Sequence, residues 1–273
     1  MGLFLKFFFI ATDPCLSKLY QHVKKLSETT YGFITQCVNS EVFRRMPTNY
    51  YDNLLLKINS KLGGSNSSFS ENAFAFIKSI DLSKTIVIGI DVASNPNFED
   101  FSSGRSFVGI VSHFGSCFDK IYSTCESQRL IQNVIIDIAK PFQKHFDNYQ
   151  KENNEYPLHA IVYRSGLSRT DTSFEKECTQ IRNSLTVLGK YITLTVILIN
   201  KMSDARFALT KAQLRGSKQS FNVPSGTVID RFVIDPDRNM FYLNSHFSQL
   251  VCFLLLKFYF LLNNFPFLIF LFF

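Results

Sequence analysis

The stretch TIVIGIDV at residues 85–92 is the part of the sequence that decides the fold. Its run of apolar, mostly β-branched residues is interrupted by a single carboxylate, Asp91, close to its end. A strand that is apolar without alternation is typical of the buried centre of a sheet. The sequence therefore predicts a central strand here, with Asp91 near its carboxyl end.

The segments that follow this strand supply the rest of a sheet. Apolar spacing and turn residues predict strands at 106–112 and 118–123, a helix at 130–148, a strand at 160–163, a helix at 174–188, and strands at 191–199, 227–234 and 240–244. Three strands, a helix, a strand, a helix and a strand is the connectivity of the ribonuclease H fold, an α/β architecture. In open sheets of this kind the functional site lies at the carboxyl ends of the central strands.

A separate α/β segment precedes this predicted sheet. The elements predicted there are strands within 1–10 and at 31–38, and helices at 15–29 and 49–62. Gly63 and Gly64 end the second helix, and SNSSFSEN at 65–72 has the composition of a linker. The predicted organisation is a first domain at 1–64, a linker and junction at 65–84, a second domain at 85–250 and an apolar tail at 251–273.

The charge and cysteine content narrow the function classes. Lys and Arg exceed Asp and Glu by 29 − 22 = 7, with an isoelectric point near 9.0, so a polyanionic partner such as nucleic acid is favoured over a merely basic surface. The six cysteines are scattered, with no CxxC pair and no His at ligand spacing, which argues against a zinc module and against a small disulfide scaffold. The five histidines have no motif context that would assemble a Ser-His-Asp or Cys-His site.

The tail VCFLLLKFYFLLNNFPFLIFLFF at 251–273 differs from the rest of the chain. It is long enough to cross a bilayer, since a spanning helix needs about 20 apolar residues. Lys257, Asn263 and Pro266 interrupt it, and proline removes a helix hydrogen bond. The alternatives are a membrane anchor and an aberrant end on a truncated domain, and the abrupt change of composition after Leu250 favours the second. Because such a tail would have nothing to pack against, its deletion is expected to improve solubility.

Two pairs of residues at helical spacing form the first candidate site. Tyr20 and Lys24 share one helix face, as do Lys57 and Lys61, and Gln36 lies at the end of the strand between the two helices. Lysines one turn apart beside an amide suit a terminal phosphate, and an aromatic ring beside them can stack on the adjoining base. The alternative is that these lysines form the solvated polar face of amphipathic helices.

Several blocks of sequence resemble the Argonaute/Piwi family. They are GFITQCV at 32–38, NLLLKINSKLGG at 53–64, IGIDV at 88–92, VYRSG at 162–166, NVPSGT at 222–227 and FYLNSH at 241–246. The resemblance covers about residues 4–247, and the first two blocks are highly specific. It implies a partial, Rossmann-like Mid domain at 1–64 and a Piwi domain of ribonuclease H fold at 85–250 that is cut short.

The resemblance also implies a function and partners. Tyr20, Lys24, Gln36, Lys57 and Lys61 fit the family's pocket for the 5′ phosphate of a guide. The expected partners are a single-stranded small RNA guide, a complementary RNA target and recruited silencing factors, with no membrane association. The expected location is the cytoplasm, the nucleus or both. No catalytic cofactor is expected, and a Mg²⁺ ion at the guide phosphate is left open.

The nuclease centre of slicing relatives is where the sequence departs from the family. Such centres use carboxylates at adjacent strand ends to hold two Mg²⁺. Asp91 matches the first carboxylate, but Ser165 stands in place of the second. The helix-borne glutamate is expected near Arg129, where Glu126 is close by but not aligned, and His246 is not the final histidine ligand. The sequence therefore predicts a protein that is not an enzyme, with Asp91 as a remnant.

Two further questions stay open at the level of sequence. A basic stretch either borders a nucleic-acid channel through phosphate contacts or is a solvated face; its residues are Lys201, Arg206, Lys211, Arg215 and Lys218. The functional alternatives to guide binding are guide-directed RNA cleavage and a non-functional truncated gene product.

Overall fold

The chain divides into two compact units in a computed structural model, Met1–Phe69 and Ser70–Phe273, with the division inside the linker predicted at 65–84. The structure describes residues 7–12, 17–45, 50–66, 81–94, 105–115, 120–129, 134–166, 172–200, 205, 207–209, 223–234, 239–245 and 256–262. The five residues of the basic stretch and His246 lie outside the described residues.

The first unit is a parallel strand pair with its connecting helix. Strands β1 (Phe7–Thr12) and β2 (Ile34–Asn39) pair in parallel, and α1 (Ser17–Lys25) connects them. The predicted helix at 15–29 does not continue as an α-helix to its end, because a π-helical turn, Leu26–Tyr31, follows α1. Gly32 closes that turn at φ 63°, a backbone conformation that glycine adopts without strain. Helices α2 (Ser40–Arg45) and α3 (Tyr50–Lys61) complete the unit.

The second unit is an eight-stranded sheet with two crossover helices. The strands are β3 (Thr85–Ser94), β4 (Ser106–Phe114), β5 (Lys120–Gln128), β6 (His159–Ser165), β7 (Thr193–Asn200), β8 (Thr227–Ile229), β9 (Met240–Asn244) and β10 (Leu256–Leu262). Helix α4 (Ala139–Asn153) precedes β6, and α5 (Thr172–Val187) connects β6 to β7. The strand order is β5-β4-β3-β6-β7-β10-β9-β8.

The pairing of these strands is that of a ribonuclease H-like α/β domain. Strands β3, β4 and β5 form an antiparallel meander, whereas β3, β6 and β7 run parallel. Parallel neighbours require a crossover, which α4 and α5 provide. Strand β3 lies between β4 and β6, so the prediction that 85–92 forms a central strand is confirmed.

The core of the second unit lies on one face of this sheet. Ile86, Ile88 and Ile90 are at most 2% exposed and belong to one buried cluster with Phe142 of α4 and Phe174 of α5. On the other face of β3, Asp91 and Ala93 are exposed. The apolar run at 85–92 therefore reflects a strand whose helix-covered face is fully buried and whose Asp91 face is more open.

The prediction of a helix at 130–148 is wrong for residues 134–138, because α4 begins at Ala139, and residues 130–133 lie outside the described residues. Side chains from elsewhere in the chain bind the backbone of residues 134–138 and replace helix hydrogen bonds. Glu177 Oε1 accepts from the Ile135 N–H at 2.8 Å, and Gln180 Oε1 accepts from the Ile138 N–H at 3.1 Å. The late strand predicted at 227–234 is also shorter, since β8 ends at Ile229.

Part of the apolar tail forms a strand inside the sheet. Residues of β10 pair antiparallel with β7 on one side and with β9 on the other. The prediction that the tail has nothing to pack against is therefore wrong for Leu256–Leu262. Within the described residues, no helix has both the length and the apolar character needed to cross a membrane.

Candidate nucleic-acid interface

The carbonyl group of Thr35 brings two predicted lysines together in the first unit. Lys24 Nζ donates to the Thr35 carbonyl oxygen at 3.1 Å, and Lys61 Nζ donates to the same oxygen at 2.8 Å. Lys24 comes from α1, Lys61 from the last turn of α3, and Thr35 from β2. Two ammonium groups from separate helices therefore share one acceptor at the start of β2.

Gln36 joins the same cluster through its side-chain amide. Its Oε1 accepts from Lys61 Nζ at 2.7 Å, and its Nε2 donates to the carbonyl oxygen of Cys37 at 2.8 Å. Gln36 is 8% exposed, so these two bonds fix a nearly buried amide. Three of the five predicted residues, Lys24, Gln36 and Lys61, thus lie at one place.

The two lysines affect each other electrostatically. Partial burial lowers the pKa of the Lys61 ammonium below its ordinary value, and the positive charge of Lys24 lowers it further. Glu28 lies 3.5 Å from Lys24 Nζ and is largely exposed. The positive charge of the cluster disfavours the protonated form of Lys61. An anion bound there would offset this charge and stabilise the cluster.

Tyr20 and Lys57 lie one helical turn before the converging lysines. Tyr20 is 48% exposed on α1, and Lys57 is exposed on α3. In the described part of the chain neither side chain is hydrogen-bonded to Thr35 or Gln36. The structure therefore exposes both side chains one helical turn from the converging lysines, but does not bring them into hydrogen-bonding contact with Thr35 or Gln36 among the residues that it describes.

Sequence reasoning missed two residues that organise this cluster, Thr35 and Ser27. Thr35 is 2% exposed, and its Oγ1 lies 3.0 Å from Lys24 Nζ, which donates to it. Ser27 is completely buried in the π-helical turn, and its Oγ lies 3.3 Å from Thr35 Oγ1. The only sequence signal for this arrangement was the hydroxyl residue Thr35 next to Gln36. That signal does not show which lysines bind to it.

In the second unit, Asp91 and Ser165 lie side by side at the ends of neighbouring parallel strands. Ile90 pairs with Arg164 in the β3–β6 register, so Asp91 and Ser165 occupy the next position on each strand. A Cβ atom on Gly166 would lie 3.7 Å from Asp91 Oδ1, which places the carboxylate beside the end of β6. Asp91 Oδ1 also accepts from the Val92 N–H at 3.0 Å.

Glu126 lies on the other face of the sheet from Asp91. Asp91 pairs with Gly109, which pairs with Cys125, and paired residues share a face. Glu126, one residue later, therefore faces the opposite way, and its Oε1 accepts from Lys144 Nζ at 2.7 Å. It cannot join Asp91 in a metal site without a change of strand register.

The described residues near Asp91 do not fit a two-metal centre. One carboxylate and one neutral hydroxyl position supply too few anionic oxygen ligands to bridge two divalent ions. Across the part of the chain that the structure describes, no three His, Cys, Asp or Glu side chains form a group that could hold a metal ion. Arg129, where the glutamate was expected, is exposed at the end of β5.

Known proteins similar to this chain agree with this architecture. A family model for the Piwi domain matches residues 7–252. The chain is 30% identical over 236 residues to protein argonaute 3 of Oryza sativa subsp. japonica, covering 83% of this chain and 20% of that protein. It thus spans about a fifth of the length of this curated relative.

Two solved structures share the fold at low sequence identity. The C-terminal lobe of a budding yeast Argonaute superposes with a TM-score of 0.80 at 22% identity, covering 94% of this chain and 54% of that one. Kluyveromyces polysporus Argonaute, solved with a guide RNA, superposes with a TM-score of 0.78 at 21% identity, covering 94% of this chain and 30% of that one. The Piwi-domain match, the argonaute relative and the shared fold together establish that the chain belongs to the Argonaute/Piwi family.

Proposed function

We propose that this protein binds a single-stranded small RNA guide by its 5′ phosphate and does not cleave the paired target. The observation that carries the proposal is the convergence of Lys24 and Lys61 on the carbonyl oxygen of Thr35, at 3.1 and 2.8 Å. Guide RNA is bound by the Kluyveromyces polysporus Argonaute, which shares the fold. Family membership supports the assignment of a nucleic-acid ligand to this cluster.

A terminal phosphate is the anion that suits this arrangement. It carries about −1.5 to −2 charges at neutral pH and presents several acceptor oxygens at one end of the chain. Two ammonium groups held at one carbonyl can both turn N–H donors toward it, and Gln36 has a second amide N–H to offer. An internal phosphodiester carries one charge and would gain less from the pair.

Tyr20 extends the proposed site to the first base of the guide. It lies one turn before Lys24 on α1 and is half exposed, so a base next to the bound phosphate can stack on its ring. Stacking of this kind contributes about 1–3 kcal/mol per base and depends little on which base is present. The proposed contribution of Tyr20 is therefore affinity without sequence preference.

The absence of cleavage is proposed from the residues beside Asp91. Ser165 offers no charge at the second carboxylate position, and Glu126 lies on the opposite face of the sheet. Silencing would then depend on partner proteins recruited to the guide–target duplex, in the cytoplasm or the nucleus. No catalytic step requires a metal ion in this proposal.

The phosphate preference can be measured directly. The dissociation constants of one short single-stranded RNA with a 5′ phosphate and with a 5′ hydroxyl are compared on the folded protein at physiological salt. We expect about tenfold or tighter binding of the phosphorylated RNA, because charge-assisted hydrogen bonds contribute roughly 1.5–3 kcal/mol each. Lys61→Ala should remove most of this preference, Lys57→Ala should reduce it less, and Tyr20→Ala should weaken both RNAs alike.

Lys24→Ala should also lower the phosphate preference, and Lys25→Ala is its matched control. Lys25 is exposed on the same helix and has no hydrogen bond to Thr35 among the described residues. A generic basic surface would bind both RNAs equally, and both lysine variants would then change only the salt dependence. Equal affinity of the unaltered protein for the two RNAs would refute the proposed site.

The cleavage proposal has its own assay. A labelled RNA complementary to the loaded guide is incubated with Mg²⁺, and the fraction cut is measured for the unaltered protein, Asp91→Asn and Ser165→Asp. No cutting is expected in any of the three, since Ser165→Asp restores only one of the missing ligands. Cutting that disappears in Asp91→Asn would show instead that the protein is a guide-directed endonuclease.

A further inference from the structure

We propose that Thr35, supported by Ser27, is a positioning residue that sets the orientation of the Lys24 and Lys61 ammonium groups for the guide phosphate. The inference rests on the proposed function and concerns residues that need not touch the ligand. Its basis is a set of hydrogen bonds that connects a buried hydroxyl pair to both lysines.

Thr35 accepts two hydrogen bonds from Lys24. Lys24 Nζ donates to the Thr35 carbonyl oxygen at 3.1 Å and to Thr35 Oγ1 at 3.0 Å. Two acceptors on one residue fix the direction of a flexible lysine far better than one, because the ammonium group can rotate about a single bond. The third N–H of Lys24 is then directed away from Thr35.

Ser27 is a second hydrogen-bond partner of the Thr35 hydroxyl. Ser27 Oγ lies 3.3 Å from Thr35 Oγ1 and donates to the Lys24 carbonyl oxygen at 3.1 Å. Both residues are almost fully buried, so the hydroxyl of Thr35 has a fixed rotamer. Ser27 belongs to the π-helical turn, whose backbone hydrogen bonds join residues five apart instead of four and so shift residues 26–31 relative to a regular helix.

A competing partner explains why Lys24 requires this support. Glu28 Oε1 lies 3.5 Å from Lys24 Nζ, four residues along the chain, and its side chain is 66% exposed. This separation is already within ion-pair distance, and loss of the hydroxyl acceptor would let Lys24 move closer to the carboxylate. The carboxylate would then neutralise the charge that the phosphate requires.

Lys61 depends on the same residue through the shared carbonyl. Two ammonium groups repel each other, and their joint hydrogen bonding to one carbonyl oxygen offsets part of that repulsion while no anion is bound. Lys61 is held additionally by Gln36 Oε1 at 2.7 Å. Losing the Thr35 hydroxyl should therefore misplace Lys24 more than Lys61.

Thr35→Val tests the proposal because valine keeps the shape and removes the hydroxyl group. The measured quantity is the ratio of dissociation constants for 5′-hydroxyl and 5′-phosphate RNA on the full chain. Thr35→Val should lower this ratio about three- to tenfold, less than the full contribution of one charge-assisted hydrogen bond, because Lys24 keeps its bond to the Thr35 carbonyl oxygen. Thr35→Ser retains the hydroxyl and should restore the ratio, whereas general loss of structure would weaken both RNAs alike.

A second substitution identifies the cause. Combining Thr35→Val with Glu28→Gln removes the competing carboxylate and should recover part of the ratio, whereas Glu28→Gln alone should raise it only slightly. Ser27→Ala should lower the ratio in the same direction as Thr35→Val. If circular dichroism shows that Thr35→Val does not fold, Ser27→Ala decides the question.

The outcomes separate this inference from the proposed function. No phosphate preference in the unaltered protein would overturn both. A clear preference that Thr35→Val, or Ser27→Ala in its place, leaves unchanged would overturn the positioning role alone. A preference that falls in Thr35→Val and returns in Thr35→Ser supports both.

Discussion

His145 is a titratable residue enclosed in the core of the second unit. It is 0% exposed, its Nδ1 lies 2.8 Å from Ser112 Oγ, and its Nε2 lies 2.9 Å from Thr124 Oγ1. The ring meets Tyr122 edge-on at 4.9 Å between centroids. Burial lowers the pKa of His145 to about 4, and the neighbouring charge of Lys144 acts in the same direction.

We expect this residue to make the fold sensitive to acid. The unfolded chain binds a proton at His145 below about pH 6.5, and the folded chain does so only below about 4. The neutral ring therefore makes its full contribution to the free energy of unfolding above pH 6.5. That contribution falls by roughly 2–3 kcal/mol as the pH drops toward 4.

Urea denaturation at pH 7 and pH 4.5 measures the effect. His145→Gln keeps a donor and an acceptor but cannot be protonated, so the difference in unfolding free energy between the two pH values should shrink. The same difference in the unaltered protein and in His145→Gln would mean that other groups cause the acid sensitivity.

The residues of the candidate site were predictable to different degrees. Lys24 and Lys61 could be assigned to helix faces from spacing alone, because a helix fixes which residues share a face. Their distance from Thr35 could not be predicted, since it depends on how α1 and α3 approach β2. The role of Ser27 could not be predicted either, because a π-helical turn has no reliable sequence signal.

At the level of elements, the segment before α4 depends on a buried ion pair between Arg164 of β6 and Glu177 of α5. Glu177 Oε2 accepts from Arg164 Nε at 2.9 Å, and both side chains are at most 2% exposed. Glu177 Oε1 also accepts from the Ile135 N–H, and Arg164 donates to the Ser165 carbonyl oxygen. One carboxylate thus connects α5, the end of β6 and residues 134–138.

Glu177→Ala should destabilise the second unit by about 3–5 kcal/mol, because it removes the carboxylate that pairs with the buried Arg164 charge. Glu175→Ala is the control, since Glu175 is exposed on the same helix and its loss should change stability by no more than about 0.5 kcal/mol. The unfolding free energy from urea titration compares them. Similar values for the two variants would show that the ion pair contributes little.

Sequence patterns predicted the helices and strands whose bounds depend on neighbouring residues. They failed where side chains far away in the sequence set the bounds. The strand at 240–244 has the predicted bounds, since its apolar run is bordered by polar residues. The predicted helix at 130–148 wrongly includes residues 134–138, because the apolar residues Ile131, Val134, Ile135 and Ile138 have helical spacing. The backbone of 135–138 is held instead by side chains from elsewhere in the chain. These are Gln128, Glu177 and Gln180, two of which lie more than forty positions away.

At the scale of the whole molecule, β10 connects two parts of the sheet. Phe258 pairs with Ile199 of β7 and with Phe241 of β9. In the described sheet, β8 and β9 reach β7 only through β10. The tail is therefore expected to stabilise the second unit, and the earlier expectation that its deletion improves solubility is replaced by the opposite one.

Phe258→Pro should destabilise the second unit by about 3 kcal/mol or more, because proline lacks the N–H that an interior strand donates. Phe258→Val suits a strand and serves as the control. Unfolding free energy and the soluble fraction after expression are measured for both variants. If the proline variant is as stable and as soluble as the valine variant, the strand is dispensable and the interpretation of the tail as aberrant regains its support.

The place of β10 also has a consequence for synthesis of the protein. Strands β8 and β9 leave the ribosome before residues 256–262, yet in the described sheet they join β7 only through those residues. During translation, β7 is therefore an edge strand with unpaired backbone groups until residues 256–262 are made. Other chains can aggregate on such an edge. Slow translation of the codons for residues 256–262 would lengthen that exposure, and a chaperone that covers strand edges would shorten it.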